Sequence, residues 1–136
     1  MAGDMADRHV EIAEESYHRC AGAPGFFAAF YDLLLASDAR IPPMFAETKF
    51  ERQHKLLQHG LGILLIYAKR PNPALLERIA SRHSRRDVGV APELYPRFVE
   101  ALVQAVERFD PEFGPDVADA WRHATEPGIA FMRARY

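Results

Sequence analysis

Residues 73–83 read Pro73-Ala74-Leu75-Leu76-Glu77-Arg78-Ile79-Ala80-Ser81-Arg82-His83. Leu76, Ile79, Ala80 and His83 stand at i, i+3, i+4 and i+7, which is one face of an α-helix. Asn72 precedes the run as an N-cap, a residue whose side-chain oxygen can take an orphaned amide hydrogen. Pro73 suits the first turn, where a missing N–H costs nothing. The spacing therefore predicts an amphipathic helix over 73–83 that ends on an imidazole on its apolar face. Such an imidazole is either a core or cap group bonded to its surroundings or a ligand to a metal. From this stretch alone the first reading is the more common.

Outward from this helix the same period continues. Residues 6–20 form a weaker helical pattern. Pro24-Gly25 opens a strong one carrying Phe26, Phe27, Phe30, Leu33 and Leu34. Ser37-Asp38 reads as the N-cap of a short segment that Pro42-Pro43 interrupts. A long helix follows over 49–69, with Thr48 as its N-cap and Glu51 completing a capping box. Leu57, Leu61, Leu64 and Leu65 mark one of its faces, with Gln53 a turn earlier. Residues 84–91 are polar, then valine-rich around Gly89, and read as a loop. Pro92 begins a helix that runs to Phe109. The cluster 110–115 is a turn. A last helix covers 115–133, and Pro127 inside it is expected to kink it. No strand pattern or repeat occurs, so the chain is all-α with six or seven helices in one domain, 1–136.

Composition narrows the function. The 136 residues carry 17 Lys+Arg against 19 Asp+Glu, a net charge of −2, which lacks the basic excess of nucleic-acid binders. Cys20 is alone and cannot form an internal disulfide, which fits a reducing compartment. The start is acidic and has no secretory core, and the longest apolar run, 61–68, is far short of the about 20 residues a membrane span needs. The expected residence is cytoplasmic, with no membrane partner. Gly60-Leu61-Gly62 lies within a helix with no strand before it, so it is no phosphate loop. His54 and His59 are five residues apart and fall on different helix faces, a poor metal pair.

Taken in order, these features resemble the globin family. Phe30-Tyr31 lies in the second helix. Pro42-Pro43-Met44-Phe45 is similar to the proline–phenylalanine corner that ends the short third helix of globins. Gln53 and Leu57 sit one turn apart on the long helix. Residues 75–83 look like the proximal helix ending in the iron-binding histidine, and Val90-Ala91-Pro92-Glu93-Leu94-Tyr95 resembles the start of the helix after it. Ala120-Trp121 followed by Pro127-Gly128-Ile129-Ala130-Phe131 is similar to the last helix of bacterial globins. The likeness spans nearly the whole chain.

The resemblance implies a globin fold of the three-on-three type sandwiching one b-type haem (iron protoporphyrin IX). It is bound without covalent attachment, as no Cys-x-x-Cys-His motif is present. It makes His83 the proximal ligand, giving pentacoordinate iron, with the second ring nitrogen donating to a backbone carbonyl near Ile79. Phe45 would stack on the haem, and Leu57, Leu61, Leu64, Ile79, Val88, Val90 and Phe98 would line a dry cavity. Tyr31 and Gln53 would hydrogen-bond the gas, which is partly anionic when it is oxygen. A slip of one residue at the start of the long helix would put His54 there in place of Gln53. His9, His18, His59 and His123 read as surface or rim groups.

The implied function is reversible binding of O₂, and of CO and NO, for storage or transport, by a monomer or homodimer. Two other readings are an NO dioxygenase or peroxidase served by a separate reductase, and a gas sensor. Flavohaemoglobins flank the proximal histidine with a tyrosine and a late glutamate. Here Tyr95 is present, but no glutamate follows Glu126, and no flavin or nicotinamide sequence is seen. These departures argue against self-sufficient dioxygenation, and sensors usually carry an output domain.

Overall fold

Apolar residues recur at helical spacing through most of the chain, and the backbone follows them. The computed structural model describes residues 2–136, and side-chain surroundings from Met5 onward. It contains six α-helices: α1 (Ala2–Ala21), α2 (Phe26–Ser37), α3 (Phe50–Lys69), α4 (Pro73–His83), α5 (Tyr95–Phe109) and α6 (Pro115–Ala134). Two short 3₁₀ turns, Pro42–Phe45 and Pro92–Leu94, precede α3 and α5. No strand is found among the described residues. α6 touches α1, α3, α4 and α5, while α2 packs on α5. The core so enclosed is built from Phe26, Phe30, Leu61, Leu76, Leu102, Trp121 and Ile129, all buried. None of the described helices is by itself long and apolar enough to cross a membrane.

The helix ends show which signals the chain uses. Asn72 caps α4 as expected, its Oδ1 accepting from the Ala74 amide at 3.1 Å. Gly25 takes φ 91° to turn the chain into α2, a conformation that L side chains rarely adopt. Three local expectations are corrected. Thr48 does not cap α3 and no capping box forms: the Thr48 amide is spent in a turn to the Phe45 carbonyl at 3.1 Å, and Lys49 occupies the cap position without a side-chain bond. Ser37-Asp38 ends α2 instead of starting the next segment. Ser37 Oγ donates back to the Leu34 carbonyl at 2.6 Å, and Asp38 Oδ1 accepts from the Arg40 amide at 2.9 Å, closing a turn. The helix expected over 92–109 divides into a 3₁₀ turn and α5, because Pro96 has no N–H for the first α-turn. α6 runs unbroken through Pro127.

One buried polar knot ties α1 to the turn between α5 and α6. Asp110, 4% exposed, accepts from Ser16 Oγ at 2.6 Å, from Arg19 Nε at 2.6 Å and from the Glu112 amide at 2.8 Å. Trp121 Nε1 donates to Ser16 Oγ at 2.9 Å. Burial alone would push the Asp110 carboxyl up, but the bonds from Arg19, Ser16 and the Glu112 amide outweigh it and hold the group below the usual carboxylate range.

Candidate functional site

α2 and the first turns of α3 meet around Tyr31. Its ring is 4% exposed and is enclosed by aromatic neighbours. Phe30, Phe45 and Phe50 present edges at centroid distances of 5.0, 5.7 and 5.5 Å. His54 stacks on it at 5.5 Å, within 11° of parallel. Edge-on and offset stacks of this kind add to what burial alone supplies. The ring therefore has one available position, and its hydroxyl is aimed by packing.

At that hydroxyl the amide of Gln53 arrives from α3. Gln53 Nε2 donates to Tyr31 Oη at 3.0 Å. The tyrosine proton has only a long contact, 3.5 Å, to the Gln53 backbone carbonyl. A hydroxyl that accepts a strong bond and gives a weak one keeps its donor capacity for a ligand. Burial pushes the Tyr31 hydroxyl up to about 12, against the lowering pull of the Gln53 amide, so it stays protonated. The expected pair, Tyr31 and Gln53, is thus brought together. His54, the alternative to Gln53, also reaches Tyr31, but through its ring face. It makes no hydrogen bond among the described residues.

The leucine stripe of α3 lies beneath. Leu57, Leu61 and Leu64 are buried, while Ile79, Val90, Phe98 and Phe45 are half-buried. Val88 is 37% exposed and lies in the turn after α4, where its amide donates to the Arg82 carbonyl at 3.1 Å and the Gly89 amide to the Ser84 carbonyl at 2.9 Å. Sequence reasoning missed Phe50 and Gly128. Phe50 stands three residues before Gln53 and four before His54, so helical spacing could have placed it against Tyr31. Gly128 is on α6, and a Cβ there would collide with Leu64 Cδ2 and sit 3.5 Å from Leu76 Cδ1. Its lack of a side chain lets α3 and α4 approach α6, which no single-position signal announces.

The second expected site residue, His83, ends α4. The bond expected from its ring to the carbonyl near Ile79 is not formed. Nδ1 is buried and has no hydrogen-bond partner, a costly state for a polar atom. Burial, and then the adjacent Arg82 charge, lower its pKa, so the imidazole is held neutral. That is the form that bonds a metal. Tyr95, buried at the start of α5, has its ring centroid 6.5 Å from that of His83. Burial raises its hydroxyl to about 12, with the Arg133 charge pulling the other way. The remaining histidines are peripheral: His18 and His59 are exposed, and His9 stacks on His123 at 4.3 Å, between α1 and α6. Cys20 is buried and free.

This architecture has counterparts among known proteins. The family model described as Globin matches residues 28–130. The chain is also similar to a Pseudomonas aeruginosa protein whose crystal structure is described as structurally highly homologous to a human hemoglobin. The two share 34% sequence identity with a TM-score of 0.92, and the match covers 94% of this chain and 98% of that one. No curated protein matches the chain by sequence.

Proposed function

This chain belongs to the globin family, and on that premise we propose that it is a single globin domain that holds a b-type haem through His83 and binds oxygen reversibly. The observation that carries this reading is the His83 ring, held neutral by burial at the end of an amphipathic helix and bonded to no other side chain. A neutral imidazole keeps a lone pair on one ring nitrogen for a metal; Nε2 would take that bond, while the buried Nδ1 would carry the proton. Leu57, Leu61 and Leu64 on α3 and Ile79 on α4 are the apolar side chains that would keep the surroundings of a flat hydrophobic cofactor dry. The haem, when bound, supplies a ferrous iron able to take up a diatomic gas.

The chain's own residues then set which gas is favoured. Tyr31 offers its proton and Gln53 steadies the hydroxyl, so a polarised ligand such as oxygen gains a directed hydrogen bond in a low-dielectric pocket. Carbon monoxide, less polarised, gains less. Phe45, Phe50 and His54 hold the Tyr31 ring, so the donor does not reorganise when the gas arrives. On the His83 side, the charge acting on Tyr95 is the cation Arg133, itself paired with Glu126. Among the described residues no carboxylate bonds to the His83 ring or the Tyr95 hydroxyl. This favours gas binding over nitric oxide dioxygenation or peroxidation.

The test begins with absorption spectra of the purified protein titrated with haemin. Wild type is expected to develop a Soret band with one equivalent and to shift on reduction and on exposure to oxygen. His83→Ala is expected to lose stable haem, and His83→Gly to recover it with added imidazole. An unchanged ferrous-deoxy spectrum in His83→Ala refutes the assignment.

A further inference from the structure

Tyr95 is 5% exposed, yet its hydroxyl makes no hydrogen bond among the described residues. It is not sealed either, because among those residues only His83 Nδ1 is both enclosed and without a partner. Tyr95 lines a cleft of about 240 Å³ between α5 and α6. Pro96 and Val99 of α5 and Ile129 of α6 give that cleft a mostly apolar lining. An unpaired hydroxyl at the wall of an apolar cleft keeps a donor for a molecule that the cleft can hold.

The two arginines that line the cleft are not equivalent. Arg122 is spent: Nε and Nη2 donate to Glu100 at 3.2 and 3.4 Å, and Nη1 lies 3.9 Å from the Asp119 carboxylate. Arg133 gives one nitrogen, Nη2, to Glu126. A guanidinium carries N–H groups on its other nitrogens as well, and those of Arg133 have no acceptor among the described residues. The Arg133 charge also acts on the Tyr95 hydroxyl, which burial keeps protonated. A free O–H and a cation with N–H groups to spare therefore stand together on the wall of an apolar cleft. The missing partner is an acceptor with negative charge.

We propose that the α5–α6 cleft binds a small organic monocarboxylate with an apolar body, its carboxylate held by the Tyr95 hydroxyl and the Arg133 guanidinium and its body laid on Pro96, Val99 and Ile129. Both bonds are charge-assisted, which makes them stronger than neutral ones. The volume admits a single ring or a short chain. Glu126 is a built-in competitor, since it holds Arg133 in the empty cleft. That pair is exposed enough to open at little cost. The cleft is formed by α5 and α6 alone, so the proposal does not rest on the haem reading.

The probe is benzoate, titrated at constant ionic strength into the haem-reconstituted protein in its ferrous carbon monoxide form, where the gas leaves the iron no place for a carboxylate. The readout is the NMR shift of the Val99 and Ile129 methyl groups. Saturable shifts are expected with a Kd in the millimolar range, as suits a small ligand in an open cleft. Benzyl alcohol has the ring without the charge and acetate the charge without the ring; each should bind about fivefold more weakly or worse. Tyr95→Phe and Arg133→Gln should each weaken benzoate about fivefold or more. Glu126→Gln removes the competitor and should tighten benzoate about threefold or more. Glu107→Gln makes the same change of charge at an exposed site on α5 outside the cleft, and should alter affinity by less than about twofold. Melting temperatures confirm that each variant is folded. No saturable shift at Val99 and Ile129, benzyl alcohol binding as well as benzoate, or Glu126→Gln binding no tighter than Glu107→Gln overturns the proposal. Failure of the haem reading is separate: it shows as no Soret band with haemin, and the same titration without haem is then still expected to shift Val99 and Ile129.

Discussion

Removing the Tyr31 hydroxyl is the most direct trial of the pocket. In Tyr31→Phe the ring keeps its edge contacts with Phe45 and Phe50 and its stack on His54, so packing is retained. What disappears is one donor in a buried, apolar setting. A hydrogen bond to a charged or strongly polarised acceptor contributes about 1.5–3 kcal/mol. The structure places the answer in the lower part of that range. Gln53 Nε2 now spends its proton on Tyr31 Oη at 3.0 Å, and in the variant it is freed to turn toward the gas and replace part of the loss. A net deficit of about 1.5–2 kcal/mol, at about 1.36 kcal/mol per decade, gives a roughly ten- to thirtyfold faster release of oxygen. Stopped-flow displacement of oxygen by carbon monoxide measures that rate. Carbon monoxide release, measured by displacement with nitric oxide, should change by less than about threefold, because its weaker dipole gains little from the hydroxyl. Unaltered oxygen release, with haem content and melting temperature preserved, shows that Tyr31 is a core tyrosine and does not face the gas.

Two stability predictions concern the frame. Gly128→Ala places a Cβ against Leu64 Cδ2 and near Leu76; overpacking of about 1–3 kcal/mol should exceed the roughly 1 kcal/mol that alanine gains in a helix, lowering the melting temperature by several degrees. A raised melting temperature shows that the Leu64 side chain turns aside at little cost, and counts against overpacking at this contact. Asp110 has its carboxyl held below its unfolded value, so its contribution is fully present above about pH 4 and fades as the pH falls through the lower folded value. Asp110→Ala should cost about 3 kcal/mol at pH 7 by leaving Ser16 and Arg19 without their acceptor, and should flatten the acid limb of a stability–pH curve. An acid limb identical to wild type in urea titrations between pH 3 and 7 counts against this account.

The helices were legible because burial and period coincide: Leu76 and Ala80 of α4, and Leu57, Leu61, Leu64 and Leu65 of α3, are all on the enclosed faces that their spacing predicts. The cap of α4 was legible because Asn72 and Pro73 act locally. The start of α3 was not, since Thr48 and Glu51 form a plausible capping box that the turn after Phe45 overrides by using the Thr48 amide. That override is why spacing alone left Gln53 and His54 as alternatives. The fold gives each a different contact with the same tyrosine, a hydrogen bond from Gln53 and a stacked face from His54. The distinction has a measurable consequence. Gln53→Leu removes a neutral hydrogen bond of about 0.5–1 kcal/mol while Tyr31 keeps its own proton to give, so oxygen release should rise roughly two- to fivefold, less than in Tyr31→Phe. His54→Leu removes only ring contact and replaces it with apolar volume, so release should rise less than about twofold. If His54→Leu speeds release more than Gln53→Leu does, the gas is met by the imidazole, and the amide serves only to fix Tyr31 in the core.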